Sequence, residues 1–292
     1  MHVCRLLQQV IPDLETELVF VDTLGDRTQP LGTPLHQLGG QGVFVKEVQA
    51  AVLEGNADFA VHSAKDLPST STQGLTIAAM PVRGDPRDVL VGLPLIEIPQ
   101  GGRVATGSVR RRAILAAVRP DLVFSELRGN ISTRLEKARG FDAIVMALAP
   151  LERLGLREHV AQILSPHLML PMVGQGAIAI ECRSDDELVS AALQLIDDPI
   201  SHACVRAERA FLAELGGSCD LPVAALAVPY ETIGAETDDG PPELSLDALV
   251  AAADGSMVIR SDAAGYDPVT LGRLVAAQIL ERGGGDLLRG KP

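Results

Sequence analysis

At 292 residues, 47% hydrophobic and 22% charged, the chain has an ordinary globular composition and length for about two or three domains, which excludes disorder as its main state. A net charge of −13 with 3% aromatic residues makes nucleic acid a poor partner, because phosphate neutralisation and base stacking would both be weak. No apolar run approaches the roughly 18 residues that span a bilayer and no charged-then-apolar leader opens the chain, so a cytosolic protein without a membrane partner is expected.

Apolar strand-like runs at residues 18–21, 59–62, 75–80, 103–105, 122–127 and 143–146 alternate with helical patterns, the rhythm of α/β domains. Residues 44–53 predict a helix, with Phe44, Val48, Ala51 and Val52 at i, i+4, i+7 and i+8 on one core-facing side. Two Pro/Gly-bearing stretches, 81–86 and 170–176, read as crossings between domains, and a pair of crossings implies an inserted second domain. Asp198-Pro199 opens a long helix that ends at Gly216-Gly217. Residues 230–242, rich in acidic and turn residues, read as a solvated loop. Asp254-Gly255 joins two β-like runs as a hairpin, and residues 269–280 close the chain as a helix. The expected domains are 1–82 with 175–198, an Arg-rich insert at 83–174, and a smaller unit at 199–292.

Charge is placed locally. From Arg83 to Arg157 there are 13 basic residues against 8 acidic, a surplus of +5 that leaves −18 for the rest of the chain. The arginines sit beside Ser, Thr, Gly and Asn, in Thr106-Gly107-Ser108-Val109-Arg110-Arg111-Arg112 and Arg128-Gly129-Asn130-Ile131-Ser132-Thr133-Arg134, with Arg153 beyond. A guanidinium fork holds a carboxylate by two parallel hydrogen bonds, so the pattern suits a pocket for an organic polyanion; the alternative is solvated surface charge in a chain with 21 Arg and 4 Lys. Lys65 and Asp66, in Val61-His62-Ser63-Ala64-Lys65-Asp66-Leu67-Pro68, fall where a buried-strand pattern breaks before a proline, at the carboxyl end where α/β sheets bind ligands. Beside a basic pocket that carboxylate could stabilise cationic charge on a substrate; the alternative is a surface ion pair.

Cys4, Cys182, Cys204 and Cys219 are too irregularly spaced for a zinc site, so free thiols and no metal are expected. Cys219, in the turn after Gly216-Gly217, could bond covalently to a cofactor or substrate, or be inert; Cys204 and Cys182 read as core. The glycines of 38–44 could offer backbone N–H groups to an anion, a weak signal alone. His62 reads as a hydrogen-bonded core histidine, and no Ser/His/Asp triad is spelled out.

Taken together, 39–47, His62-Ser63-Ala64-Lys65-Asp66-Leu67-Pro68, Asp85-Pro86-Arg87-Asp88, Ser108-Val109-Arg110-Arg111, Leu127-Arg128-Gly129-Asn130 with Thr133-Arg134, Val173-Gly174-Gln175-Gly176-Ala177 and Gly217-Ser218-Cys219 closely resemble the porphobilinogen deaminase (hydroxymethylbilane synthase) family, in order and spacing over nearly the whole chain. The resemblance implies an α/β fold of three domains: two arranged like a type II periplasmic binding protein around a cleft, and a third, small α/β domain carrying a cofactor cysteine, matched by Cys219. It implies a dipyrromethane primer on that sulfur, to which four porphobilinogens are joined with loss of ammonia before water releases the linear tetrapyrrole. Asp66 matches the catalytic aspartate, which would stabilise the cationic azafulvene left when ammonia departs. Lys65, Ser108, Arg110, Arg111 and Arg128 match cofactor contacts; Arg134, Arg153 and Gln175 match substrate contacts. The implied partner is porphobilinogen alone, and the expected state a monomer.

The chain opens at Met1-His2-Val3-Cys4, which resembles the family's first helix already under way, without the family's first strand and its Arg-x-Ser motif; an open sheet edge is the expected consequence. Gln41 stands where the family often has Lys, and Gly107 where it often has Ser. Two rivals follow: an inactive relative, and a binding protein that holds a carboxylated metabolite unchanged. Incubation with porphobilinogen separates them, since only the enzyme releases ammonia.

Overall fold

The structure, a computed structural model, describes residues 1–21, 45–217, 221–230 and 242–289. Its helices are α1 (His2–Val10), α2 (Lys46–Leu53), α3 (Val109–Val118), α4 (Ile131–Ala138), α5 (Leu148–Arg153), α6 (Glu187–Gln194), α7 (Pro199–Glu214), α8 (Pro268–Glu281) and α9 (Gly284–Leu288). Its strands are β1 (Phe59–Ser63), β2 (Leu75–Ala79), β3 (Asp88–Gly92), β4 (Arg103–Ala105), β5 (Val123–Ser125), β6 (Ala143–Ala147), β7 (Gln162–Ile163), β8 (Ile178–Arg183), β9 (Val223–Pro229), β10 (Leu244–Ala251) and β11 (Val258–Gly265).

Among the described residues three sheets result, in the orders β1-β8-β2, β5-β4-β6-β3-β7 and β11-β10-β9. In the first, β8 returns from after the second sheet to pair antiparallel with both β1 and β2, so the second sheet is an insertion within the first unit. In the second, β4 runs parallel to both β5 and β6, the arrangement that places helix N-termini beyond the strands' carboxyl ends. The third is an antiparallel meander.

Period-two patterning explains how the third sheet docks. Ala225, Ala227, Leu246, Ala248 and Val250 pack with Phe211 of α7 and Val275 and Ile279 of α8. Their neighbours Ala224, Leu226, Leu249 and Ala251 point the other way and join Leu90, Val104, Ala113 and Leu115 of the second unit in one core. Buried on both faces, β9 and the end of β10 are therefore almost wholly apolar.

The long helices start on side-chain caps. Asp198 accepts from the Ser201 N–H at 2.7 Å with Pro199 in the first turn of α7, and Asp267 does the same for α8 from Thr270 at 2.7 Å. The hairpin expected at Asp254-Gly255 is present between β10 and β11, and Cys182 and Cys204 are buried in core.

The strand expected at 18–21 does not form. A strand needs a partner for its backbone, and a cavity of about 600 Å³ separates this segment from β1, leaving Phe20 90% exposed. The edge of β1 borders the same cavity. Phe44, the glycines of 38–44, Gln41 and most of the 230–242 loop lie outside the described residues.

Two chain segments cross between the first and second units, and they touch. The Gly84 N–H donates to the Gly176 carbonyl at 3.2 Å, and Ala64, at the foot of the Lys65 turn, donates to Ala177 at 3.0 Å. Gly176 sits at φ +87°, and a Cβ there would lie 2.5 Å from the Gly84 oxygen, so only glycine lets the crossings approach this closely.

Candidate active site

The basic motifs become two adjacent turns. Thr106-Gly107-Ser108 leads from β4 into α3, where the Ser108 hydroxyl accepts from the Arg111 N–H at 3.4 Å. Leu127-Arg128-Gly129-Asn130 leads from β5 into α4, where the Asn130 side chain accepts from the Thr133 N–H at 2.9 Å. The turns pack backbone to backbone: a Cβ on Gly107 would stand 2.8 Å from the Leu127 carbonyl oxygen. Two helix N-termini thus open side by side at the carboxyl ends of parallel strands, where partial positive charge favours an anion. Between them is a cavity of about 150 Å³ lined by Gly107, Ser108, Arg111, Leu127, Arg128, Arg134 and Val145.

Beneath it lies a carboxylate that the sequence reading did not single out. Asp88, fully buried at the start of β3, accepts from Arg110 Nη2 at 2.7 Å, Arg111 Nε at 3.0 Å, Arg111 Nη2 at 2.7 Å and Gln175 Nε2 at 2.9 Å. Arg110 also donates to the Leu170 carbonyl at 2.6 Å and Arg111 to that of Val145 at 3.1 Å. Burial alone would raise the Asp88 pKa, but the charges of Arg110 and Arg111 and the hydrogen bonds outweigh it, and the carboxyl is held below its usual range. Two guanidinium groups share this one carboxylate, so the buried cluster carries a net positive charge, and Arg110 Nε has no hydrogen-bond partner among the described residues.

Lys65 and Asp66 arrive from the other side of the crossing, in a 3₁₀ turn at Ala64–Asp66. Burial pushes the Lys65 ammonium below its usual pKa; Asp66 and Asp88 oppose this and Arg111 and Arg110 add to it, which places the group among those four. Asp66 itself is exposed. Arg134 donates from Nε to the Gly129 carbonyl at 2.7 Å; burial first, then Arg111 and Arg128, lower its pKa while Asp66 opposes them. Arg111, Arg128 and Arg134 line the cavity, and their charged neighbours are Lys65, Arg110, Asp66, Asp88 and Glu126, an excess of cations that an anionic ligand would balance.

The remaining candidates are placed differently. Gln175 is buried and occupied within the protein, donating to the Pro86 carbonyl at 2.7 Å as well as to Asp88 and accepting from Arg111 at 3.4 Å. Arg153, on α5, is bound to the crossing through Nη2 and the Gly176 carbonyl at 2.5 Å; burial lowers its pKa, and it faces His2 of α1 outside the cavity lining. Cys219 lies outside the described residues; Leu221, just beyond it, lines a small cavity with Ser108 and Arg110. His62 is buried with Nε2 3.0 Å from Glu181 Oε2, a core histidine.

Sequence reading also missed Arg83 and Glu208. Glu208, wholly buried on α7, accepts from Arg83 Nη1 at 2.6 Å and Nη2 at 3.2 Å, from the Gly174 N–H at 2.7 Å and from the Ala227 N–H at 2.9 Å. One carboxylate of the third unit thereby grips both crossings. The available signal was a glutamate on the apolar stripe of Cys204, Ala207 and Phe211.

These features define a class: two α/β units joined by two crossings, with three arginines lining a cavity beside two helix N-termini. The chain belongs to the porphobilinogen deaminase family. Residues 1–191 match the family model described as "Porphobilinogen deaminase, dipyromethane cofactor binding domain", and residues 202–281 match "Porphobilinogen deaminase, C-terminal domain". A porphobilinogen deaminase of Roseiflexus castenholzii is 45% identical over 99% of this chain and 94% of its own length, and one of Brevibacillus brevis is 44% identical over 97% and 89%. Among solved structures, a VFT2 domain of Bordetella pertussis BvgS is similar at 21% identity and TM-score 0.39 over 67% of this chain and 75% of that one, too distant a likeness to carry weight.

Proposed function

We propose that this chain works as a porphobilinogen deaminase, joining four porphobilinogen units head to tail with loss of ammonia and releasing hydroxymethylbilane by hydrolysis, a transferase of tetrapyrrole synthesis. Every pyrrole unit brings an acetate and a propionate, so the ligand is a polyanion. The observation that carries the reading is the buried Asp88–Arg110–Arg111 cluster, which keeps unbalanced positive charge under two converging helix N-termini.

The family's dipyrromethane cofactor fits this cleft by the chemistry of its donors: guanidinium groups and helix N–H groups for carboxylates, with Arg110 Nε unpartnered among the described residues. When bound through Cys219, it supplies the pyrrole end to which units are added. Ser108, Arg110, Arg111, Arg128 and Lys65 would hold its acid arms, and Arg134 those of the incoming substrate. Each charge-assisted contact contributes roughly 1.5–3 kcal/mol, so several are needed, and none is strong enough to prevent the chain from advancing. Arg153 and Gln175 act from the crossing: Gln175 keeps Arg111 and Asp88 in register, and Arg153 fixes Gly176.

Asp66 is the carboxylate that would face the reacting carbon. As the C–N bond of the aminomethyl group breaks and ammonia leaves, positive charge develops on the pyrrole, and a fixed carboxylate stabilises it without solvent reorganisation. The Lys65 ammonium, easier to deprotonate than usual, stands beside it. Asp66→Ala is therefore expected to fold and bind but to lose about 100-fold or more in kcat. The assay is ammonia release from porphobilinogen with formation of a product that closes to a porphyrin. Ammonia-free binding by the wild-type protein, or an undiminished rate in Asp66→Ala, contradicts the reading.

A further inference from the structure

The Asp66 turn is gripped from below by a polar network that the carboxylate-binding arginines do not share. Glu181, buried in the middle of β8, accepts from Gln49 Nε2 of α2 at 2.9 Å and lies 3.0 Å from His62 Nε2 of β1. Gln49 in turn accepts from the Thr72 hydroxyl at 2.9 Å. Arg209 of α7 donates from Nη2 to the Pro68 carbonyl at 2.7 Å and to that of Ser69 at 3.3 Å. Burial would raise the Glu181 pKa, but hydrogen bonding to His62 and Gln49 outweighs it and the carboxyl is held lower than usual. The segment that follows Asp66 is thus held at Pro68 and Ser69 by the third unit, and at Thr72 by the first.

We propose that Arg209 is a positioning residue for Asp66: through the Pro68 and Ser69 carbonyls it fixes the catalytic turn from the third unit, while Gln49 holds Thr72 at the far end of the segment. The inference rests on the reading of Asp66 as catalytic and extends it to the architecture. A 3₁₀ turn of three residues ending in Leu67-Pro68 has little hydrogen bonding of its own, the Leu67 N–H reaching Ala64 at 3.4 Å. Its carboxylate is exposed, so orientation has to come from the backbone beyond it. Both carbonyls take the same Nη2, whose direction is fixed by the planar guanidinium, whereas a lysine ammonium is a point charge on a flexible stem. The same helix carries Glu208 in the adjacent position, which grips the crossings. One helix thus holds both the crossings and the segment after Asp66. Misplacement of a reacting group by about 1 Å costs up to 10²-fold, which sets the scale of the effect.

The test uses the full-length enzyme with its cofactor attached. Arg209→Ala is expected to lower kcat about 10- to 100-fold with KM within about twofold, because the turn carries charge stabilisation and the arginine pocket carries binding. Added guanidinium ion at millimolar concentration should restore part of the lost rate, and Arg209→Lys should fall between. Thr72→Val, which frees the far end of the segment with little loss of packing, should lower kcat several-fold and keeps the proposal testable if Arg209→Ala folds poorly. Arg206→Ala, on the exposed side of the same helix, serves as the control and should leave kcat unchanged. Full kcat in both Arg209→Ala and Thr72→Val, or losses that follow the melting temperature and ignore guanidinium, would overturn the positioning role. Asp66→Ala is assayed in parallel: if it is inert while Arg209→Ala is fully active, only the positioning role falls, and if it is active, the assignment of Asp66 falls and the role of Arg209 with it.

Discussion

Removing the Glu208 carboxylate is the sharpest perturbation the structure offers outside the site. Glu208→Ala takes away four hydrogen bonds at once and leaves Arg83, whose side chain is only 10% exposed, without its counter-charge, though Nε keeps the Gln175 carbonyl at 2.9 Å. Breaking one side of a buried ion pair costs about 3–5 kcal/mol, and each orphaned backbone N–H, here those of Gly174 and Ala227, about 1–3 more unless water reaches it. With one such group re-solvated, the total is about 5 kcal/mol, a large part of the roughly 5–15 kcal/mol that keeps a protein folded. At roughly 2 °C per kcal/mol for a chain of this size, the melting temperature should fall by about 10 °C in a calorimetric scan. Glu208→Gln, which keeps an acceptor and loses the charge, should lie between. Replacing both partners by leucine should cost less than Glu208→Ala alone, since no charge is left stranded. A fall of less than about 2 °C in Glu208→Ala would refute the claim that this carboxylate holds the crossings to the third unit.

Gly176→Ala forces a side chain into φ +87° with its Cβ 2.5 Å from the Gly84 oxygen, and should lower the urea midpoint by the equivalent of about 2 kcal/mol or more; a wild-type midpoint would contradict the close crossing. Stability should also depend on pH through Asp88. Its folded-state pKa lies below the unfolded value of about 3.9, so its contribution is complete above that value and is lost as pH falls through the folded one. Arg110 stays charged throughout, so the loss belongs to the carboxylate. Melting temperature measured from pH 7 downward should hold to about pH 5 and drop below about 4, with Asp88→Asn lower at neutral pH and less steep in acid; parallel curves would rule out Asp88 as the group responsible.

What the sequence revealed follows from what local patterning encodes. Strands such as 59–62, 103–105 and 143–146 were legible because buried runs bounded by polar turns have few other uses, and the hairpin at Asp254-Gly255 because its turn chemistry is specific. Residues 18–21 have the same apolar pattern and no ladder, since a strand is defined by its neighbour and the sequence does not name one. The arginines of the two turns read as an anion pocket, and Arg111, Arg128 and Arg134 line one cavity. Their counter-charge was not: Asp88 opens an apolar strand, Glu208 and Arg209 sit on a helix of the third unit, and all three meet partners far away in the chain. Charge pairing across such distances is a product of topology, which is why Arg110 and Gln175 read as ligand contacts and prove also to be structural partners of Asp88.

The central claim is that the cationic cleft serves a pyrrole oligomer tethered through Cys219. Intact-mass measurement of the purified protein after incubation with porphobilinogen tests it most directly. The expected result is a covalent addition of dipyrrole mass, mapped to the peptide that contains Cys219 and lost in Cys219→Ser. A polypeptide that keeps its translated mass after exposure, or an adduct that survives in Cys219→Ser, would contradict it.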